Sequence, residues 1–413
     1  MDTSGFYKLT LKERLTRLEK AKLISPQEAK ILVDSGALEM EKADKMVENV
    51  IGAIHLPIGI ATNFVVNGKE RVIPMAVEEA SVIAAACKAA KQTLPQGFRG
   101  KSDESIMIGQ IQIVGIANIE QAVKNLKGSR KEIMKIASEY IKHNEKYGCG
   151  VKDFQIKTFQ SERGEMIGIY FDIFVGNAQG ANMVNTVLEG VAPTIAQLSG
   201  GKTRLRIVSN LATKRKTKVS ATWKKEVIGE ETIEGVLDAY EFARIDVYRC
   251  ATHNKGIMNG IDAVAIATGN DWRSVEAGAH SYASLGGYHS LTHYYKNKSG
   301  DLIGEIELPL AVATVGPAIS SSPTASIALK IMDVANSGEL AMAMASVGLA
   351  NNFAALSALS TEGIQKGHMK LHARNIAIYA GATAEEAEKV AEILATEKNF
   401  KVDYAKEVLR RIR

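Results

Sequence analysis

Met166-Ile-Gly-Ile-Tyr-Phe-Asp-Ile-Phe-Val175 is a run of β-branched and aromatic side chains without helical period, and it reads as a well-buried strand. Upstream, across the turn Ser161-Glu-Arg-Gly164, stands a partner of the same kind, Phe154-Gln-Ile-Lys-Thr-Phe159. Further out, Ile106-Met-Ile-Gly-Gln-Ile-Gln-Ile-Val114 predicts another strand, followed by a long polar amphipathic helix from Ile119 to about Lys146. Downstream, Gln179 to Leu198 predicts a helix and Arg204-Leu-Arg-Ile-Val208 a last strand. The order β-α-β-β-α-β is that of a split, ferredoxin-like unit. It occupies residues 105–214 as an insertion, so the fold class is α+β.

The flanks differ in character. Thr10-Leu-Lys-Glu13 and Ser25-Pro26-Gln-Glu28 both read as capping boxes, the second with Pro at the first helical position, and Gly36 as the stop of the second helix. Asn63-Phe-Val-Val, the turn Asn67-Gly68 and Arg71-Val-Ile-Pro predict a hairpin before an Ala-rich helix from about Glu79 to Lys91. Helices, glycine turns and apolar runs resume after Arg215. A charged tail, with helices capped at Thr383 and Asp403, is expected to pack loosely on the body. The resulting division is a large, mostly helical domain before residue 105 and from 215 to about Ser360, the small domain at 105–214 and the tail beyond.

The 413 residues, 46% hydrophobic and 23% charged, suit a soluble protein of two or three domains. The net charge of +5 is dispersed. Its densest run, Lys214-Arg-Lys-Thr-Lys218, reads as a solvated edge or an anion site sooner than a nucleic-acid surface, since interleaved aromatics are missing. Cys87, Cys149 and Cys250 form no CxxC pair, which fits a reducing cytoplasm, and the Ala-rich setting of Cys87 reads as that of a small buried hydrophobe. No signal segment and no stretch of about 18 uninterrupted apolar residues is present, so no membrane span is expected.

Chemistry concentrates in 249–280, where Arg249, Lys255, Asn259, Asp262, Asp271, Arg273, Glu276 and His280 flank the apolar run Ala263 to Ala267. Lys255 and Asn259, four apart, share a face if helical. Asp271 follows a Thr-Gly-Asn turn where a strand would end and deliver it to a site. A lysine, an amide and a carboxylate together can polarise a carbonyl oxygen; a structural ion pair between Lys255 and Asp271 is the plain alternative. Gly176-Asn177-Ala-Gln179-Gly180-Ala181-Asn182, between a strand and a helix, is either a phosphate-binding helix N-terminus or a tight turn. Glu78-Glu79 either complements a helix dipole or supplies a proton donor. His368 and His372 have metal-like spacing without an acidic third ligand, so no metal is expected; a single His acting as acid or base is more natural than a ligand pair, and two half-exposed helical histidines the alternative.

Together these residues resemble the soluble second class of 3-hydroxy-3-methylglutaryl-coenzyme A (HMG-CoA) reductases. The likeness runs from Glu48-Asn-Val-Ile-Gly52 to Gly363-Ile-Gln-Lys-Gly-His368. Its most specific blocks are Met75-Ala-Val-Glu-Glu79, Thr252-His-Asn-Lys-Gly-Ile-Met-Asn-Gly260, Ala267-Thr-Gly-Asn-Asp-Trp272 and Gly367-His-Met. The resemblance implies an NAD(P)-dependent oxidoreductase that converts HMG-CoA to mevalonate and CoA. It implies a substrate-binding large domain (1–104 and 215–365), an inserted dinucleotide-binding domain (105–214) and a C-terminal helical flap (366–413). Lys255 would stabilise the thioester oxygen, Glu79 donate a proton, Asp271 hold the lysine–glutamate network and His368 protonate the leaving CoA thiolate. Ser81, Asn210, Arg249 and Asn259 would bind substrate, and Asn177, Gly180, Ala181, Asn182 and Asn185 the cofactor. An obligate homodimer with shared sites follows, with assembly as a trimer of dimers left open, and neither nucleic acid nor membrane as partner.

Two departures stand out. The family's Asp-Ala-Met-Gly is Asn177-Ala-Gln179-Gly180 here, and its Gly-Gly-Ala-Thr is Gly316-Pro317-Ala318-Ile319; both are expected to lie away from the four catalytic positions. Ile141 where some members carry an acid, with Lys142 beside it, leans towards a 2′-phosphate, hence NADPH over NADH. Two alternatives remain: the degradative oxidation of mevalonate, and a paralogue that binds CoA thioesters without reducing them.

Overall fold

A computed structural model describes residues 1, 3, 5–34, 38–361 and 373–413. The strands are β1 (Ile58–Val66), β2 (Lys69–Ala76), β3 (Phe98–Ser102), β4 (Ile106–Val114), β5 (Gly150–Ser161), β6 (Gly164–Phe174), β7 (Lys202–Ser209), β8 (Lys216–Trp223), β9 (Thr292–Lys296) and β10 (Leu302–Pro309). They form a four-stranded sheet, β5-β6-β4-β7, and a six-stranded sheet, β2-β1-β3-β8-β10-β9.

The small sheet is wholly antiparallel. Its spatial order is that of a ferredoxin-like unit, as the strand and helix pattern predicts. The helix Ala181–Ser199 covers it, sealed by Val184, Val187, Leu188, Val191 and Ile195. The predicted helix from Ile119 to Lys146 is a correction: it breaks into Ile119–Gly128 and Arg130–Glu139, then a 3₁₀ turn Lys142–Tyr147. Gly128-Ser129 is a poor helical pair, and the break lets both pieces pack on Ala181–Ser199.

The insertion enters and leaves through neighbouring strands. β3 pairs antiparallel with β8, Ser102 lies opposite Thr217, and their hydroxyls are 3.1 Å apart. A domain can enter there without parting the six-stranded sheet. The basic run at the return is not an open edge. Lys216 pairs with Glu307 at 2.7 Å and Lys218 with Glu305 at 2.9 Å across to β10, and Lys214 pairs with Asp172. The strands β8, β9 and β10 were not separable in the sequence from the apolar runs around them.

Two long helices, Val247–Ala267 and Ser337–Ser360, pack against each other in the large domain. Their approach is made by reciprocal glycines: a Cβ at Gly260 would stand 2.8 Å from a Val347 methyl and overlap Asn351 Oδ1, and one at Gly348 would stand 2.9 Å from Ile261. The helix Ser337–Ser360 is long and apolar enough to cross a bilayer, but 78% of its apolar window is buried in the fold, which makes it a core helix. Trp223 stacks on its Phe353 at 4.1 Å. The apolar run 263–267 continues the helix Val247–Ala267 and is not a strand. Cys87 is half-buried and its thiol accepts from the Thr62 N–H, so it is less enclosed than its Ala-rich setting suggested.

In the tail, Thr383 caps Ala384–Thr396 through a full capping box, whereas the cap of Val402–Ile412 is Lys401, with Asp403 in the first turn. Ala377, Val390, Leu394 and Val408 give this segment a core of its own. Gly36 lies outside the described residues.

Gly260→Ala is expected to force Asn351 off its bond to the Val82 carbonyl, 2.8 Å, and to lower stability by about 1–3 kcal/mol, seen as a lower denaturation midpoint.

Candidate active site

Lys255 lies in the third turn of the helix Val247–Ala267, and Asn259 stands one turn further on the same face. Asp246 caps this helix through the Arg249 N–H at 2.6 Å, fixing Arg249 in the first turn. Beneath the exposed face, buried His253 bonds to Thr292 and Ser290 at 2.6 and 2.9 Å. Burial pushes the His253 imidazole down to about 3, so it serves as a neutral strut.

Glu79 arrives from β2 through a short turn that ends at Ser81, which holds a left-handed φ of 80° at the N-cap of the helix Val82–Lys91. A non-glycine residue there stores backbone strain, a feature that clusters at functional sites. The Asn351 side chain fastens this turn by donating to the Val82 carbonyl. The outcome is an ion pair between residues far apart in the chain: Lys255 Nζ stands 3.6 Å from Glu79 Oε2. Glu78 and Glu79 precede the helix instead of opening it, so dipole complementation does not account for Glu79.

Asp271 is delivered by a helix end, not a strand end. Gly269 (φ 66°) follows the Thr268 cap, and the bonds Asn270 N to Ala265 O and Gly269 N to Ile266 O close a Schellman motif. Buried Asn270 pins the turn to Ala313, accepting from its N–H at 2.7 Å and donating to its carbonyl at 3.2 Å. Asp271 then caps the helix Trp272–Ala283 through the Ser274 N–H and pairs with Arg273 at 3.4 Å. Its pairings here are with Ser274 and Arg273, while Lys255 pairs with Glu79; the simple Lys255–Asp271 ion pair is therefore replaced by Lys255–Glu79. Asn210 is exposed on the return from the small domain, its carbonyl against Gly278 of the Asp271 helix.

The loop 176–180 is tied to the large domain at several points. Asn177 Oδ1 accepts from the Ser337 N–H at 3.1 Å and its carbonyl from the Thr314 N–H at 3.0 Å. An Asp would accept equally, so Asn177 keeps the docking bond without the charge. Buried Arg215 donates to the carbonyls of Ala178, Gln179 and Val312. Burial lowers it to about 10, which leaves it a cation at neutral pH. Gln179 Oε1 accepts from the Ala181 N–H at 3.1 Å while its Nε2 donates to Ser274 Oγ at 3.5 Å. Gly180 (φ 98°) opens the helix where a Cβ would stand 2.6 Å from Val175, so glycine is required there by both the backbone angle and the close approach. Asn182 is exposed beside it, and Asn185 Oδ1 accepts from the Val208 N–H of β7.

Both departures prove to be neighbours of Asp271. Gln179 touches Ser274, and Ala318 and Ile319 pack over Gly269. Sequence distance hid this. Ile141 is fully buried in the small-domain core and cannot face a ribose; Lys142 is exposed. His368 lies outside the described residues. Sequence reading missed Arg215, submerged in the basic run, and gave no role to Asp262, Glu276 or His280, although Asp262 falls on the same helical face as Lys255 and Asn259.

Comparison with known proteins agrees with this geometry. The profile of the hydroxymethylglutaryl-coenzyme A reductase family matches residues 10–373. The chain is 49% identical over 411 residues to the 3-hydroxy-3-methylglutaryl-coenzyme A reductase of Archaeoglobus fulgidus, covering 99% of this chain and 94% of that one. It is 34% identical over 379 residues to a probable enzyme of this name from Borreliella burgdorferi, covering 89% and 86%. The Streptococcus pneumoniae enzyme superposes with a TM-score of 0.85 at 36% identity over 100% of both chains. Its class II form bound to NADPH in open conformations gives 0.83 at 36% identity over 98% and 100%.

Fold and site thus define an oxidoreductase with a non-Rossmann small domain. The chain belongs to the hydroxymethylglutaryl-coenzyme A reductase family. Its activity is the family's two-step reduction of (S)-HMG-CoA to (R)-mevalonate and CoA.

Gly269→Ala would impose a Cβ at φ 66° and 2.9 Å from Ala325. It should lower stability by about 1–3 kcal/mol and reduce turnover more than substrate affinity, measured by thermal melts and steady-state kinetics.

Proposed function

We propose that Lys255, Glu79, Asp271 and His368 carry the reduction, with NADPH as the preferred reductant. The observation that carries this reading is the 3.6 Å approach of Lys255 to Glu79. Reduced nicotinamide supplies the hydride for both steps when bound. Each addition to a carbonyl carbon places negative charge on its oxygen, and Lys255 presents a fixed cation to that oxygen. Glu79, beside the lysine, hands the proton to the oxygen at the mevaldehyde stage. Asp271, held as an N-cap, keeps the charge balance of the pair. His368 protonates the departing CoA thiolate. Ser81, Asn210, Arg249 and Asn259 bind the substrate.

Gly180, Ala181, Asn182 and Asn185 would hold the dinucleotide. A helix N-terminus following a glycine turn fits phosphate oxygens, and exposed Lys142 suits a 2′-phosphate. Asn177 belongs to the same loop and sets its position from the large domain. The separate cores of the two sheets support the division at 104/105 and 214/215, and residues from Ala373 onward form a core of their own; the boundary at 365/366 lies outside the described residues.

A homodimer completes the site. The side chains of Lys255 and Glu79 are 63% and 47% exposed, whereas a developing oxyanion is best stabilised where water is excluded. Tyr248, beside Arg249, and Ile51 and Ile54, ahead of β1, are large apolar side chains left exposed nearby in the chain. A second copy covers them, and the tail bearing His368 closes as a flap. Three free cysteines fit a cytoplasmic location.

Lys255→Ala should abolish reduction of both HMG-CoA and mevaldehyde. His368→Gln should chiefly impair reduction of the thioester, since mevaldehyde releases no thiolate; equal loss on both would remove His368 from its role. Restoring Asp at Asn177 should change KM for the cofactor more than KM for HMG-CoA.

A further inference from the structure

Asp262 enters none of the steps above. It stands on the helix Val247–Ala267 seven residues beyond Lys255 and three beyond Asn259, so the three side chains rise from one helical face. Its carboxyl hydrogen-bonds Glu276 on the helix Trp272–Ala283, the helix that Asp271 caps. Glu276 Oε2 in turn meets His280 Nε2 at 2.9 Å, and His280 Nδ1 meets the Tyr288 hydroxyl at 2.8 Å. Asp262 Oδ1 is buried and meets no donor group.

Two carboxyl groups share a hydrogen bond only when one of them holds the proton. The charges decide which. His280 holds Glu276 below the usual carboxylate range, and Glu276 raises His280 above the usual imidazole range. The proton therefore resides on Asp262, which burial and the Glu276 charge push up to about 8. Among the described residues, Glu276 is the titratable group acting on Asp262. Glu276 itself faces Asp262 and His280, and His280 faces Glu276 and Tyr288, whose hydroxyl is raised by burial.

We propose that Asp262 is a positioning residue for the reduction: by donating to Glu276 it clamps the helix bearing Lys255 and Asn259 to the helix capped by Asp271. The lysine and the carboxylate are thereby kept at a fixed spacing, though neither is touched by Asp262. This rests on the reading of Lys255 and Asp271 given above.

The pH dependence follows in sign. Below about 8 Asp262 is protonated and the clamp is closed; above it two carboxylates face each other and repel. The folded chain keeps a proton that the unfolded chain releases near 3.8, so stability falls as pH rises through this window. An Asn at 262 donates to Glu276 at any pH.

The test compares the wild-type protein with Asp262→Asn, Asp262→Ala and Glu276→Gln between about pH 6 and about pH 9. NADPH-dependent reduction of HMG-CoA is followed together with the melting temperature of the protein without substrate. Wild-type kcat should fall above about pH 8 with KM little changed, while Asp262→Asn holds its kcat to higher pH. Asp262→Ala should lose about tenfold to a hundredfold in kcat across the range. The wild-type melting temperature should drop from neutral to alkaline pH, and that of Asp262→Asn should stay level. Glu276→Gln removes the facing charge and should flatten both curves, which keeps the test open should the Asp262 variants fail to fold. Superimposable curves for wild type, Asp262→Asn and Glu276→Gln overturn the proposal. Should HMG-CoA not be reduced at all, the catalytic reading fails, and the melting curves still decide the clamp.

Discussion

The site depends on one contact: the close crossing of the helices Val247–Ala267 and Ser337–Ser360 at Gly260 and Gly348. Side chains there would hold the helices apart, and interiors at crystal-like density do not absorb such gaps. Because the helices meet, Asn351 passes beside Gly260 to the Val82 carbonyl and fastens the turn that carries Glu79 and strained Ser81. The same crossing sets the height of the helix that presents Lys255. An ion pair of two half-exposed side chains is worth little by itself. The 3.6 Å separation of Lys255 and Glu79 is therefore a consequence of the helix crossing and not its cause.

The small domain is joined to this frame chiefly by polar bonds; from the segment after β10, Ala311 also enters its apolar core. Arg215 collects three carbonyls, two from the loop 176–180 and one from the segment after β10. Asn177 reaches the N-terminus of Ser337–Ser360, and Gln179 reaches Ser274 in the Asp271 helix. These ties end on elements that also position Glu79 or Asp271. Occupancy of the Gly180 helix start is thus mechanically adjacent to Asp271. Few, directional bonds of this kind suit a domain that must admit and release a cofactor.

What the sequence disclosed was local. Strand periodicity marked β4 to β7, and the capping boxes at Thr10, Ser25 and Thr383 marked helix starts, because the responsible atoms lie within four residues. The shared face of Lys255 and Asn259 was legible for the same reason. What escaped was non-local. The run Ala263 to Ala267 reads equally as strand or helix; packing on Ser337–Ser360 makes it helix, which turns Asp271 from a strand end into an N-cap. The break at Ser129 answers to a helix fifty residues later, and the lysines of 214–218 are neutralised by acids from β6 and β10. The blocks at Asn177 and Pro317 were thought remote from the chemistry because only the fold sets them beside Asp271.

The measurement that bears most directly on this account is the stoichiometry of turnover: reduced nicotinamide consumed against CoA thiol released, by purified protein supplied with HMG-CoA and NADPH. A site built as described passes through mevaldehyde to mevalonate, so two cofactors should be oxidised for each thiol freed. One cofactor per thiol would mean that Glu79 and Lys255 do not carry the second reduction. No turnover by folded protein would contradict the account outright.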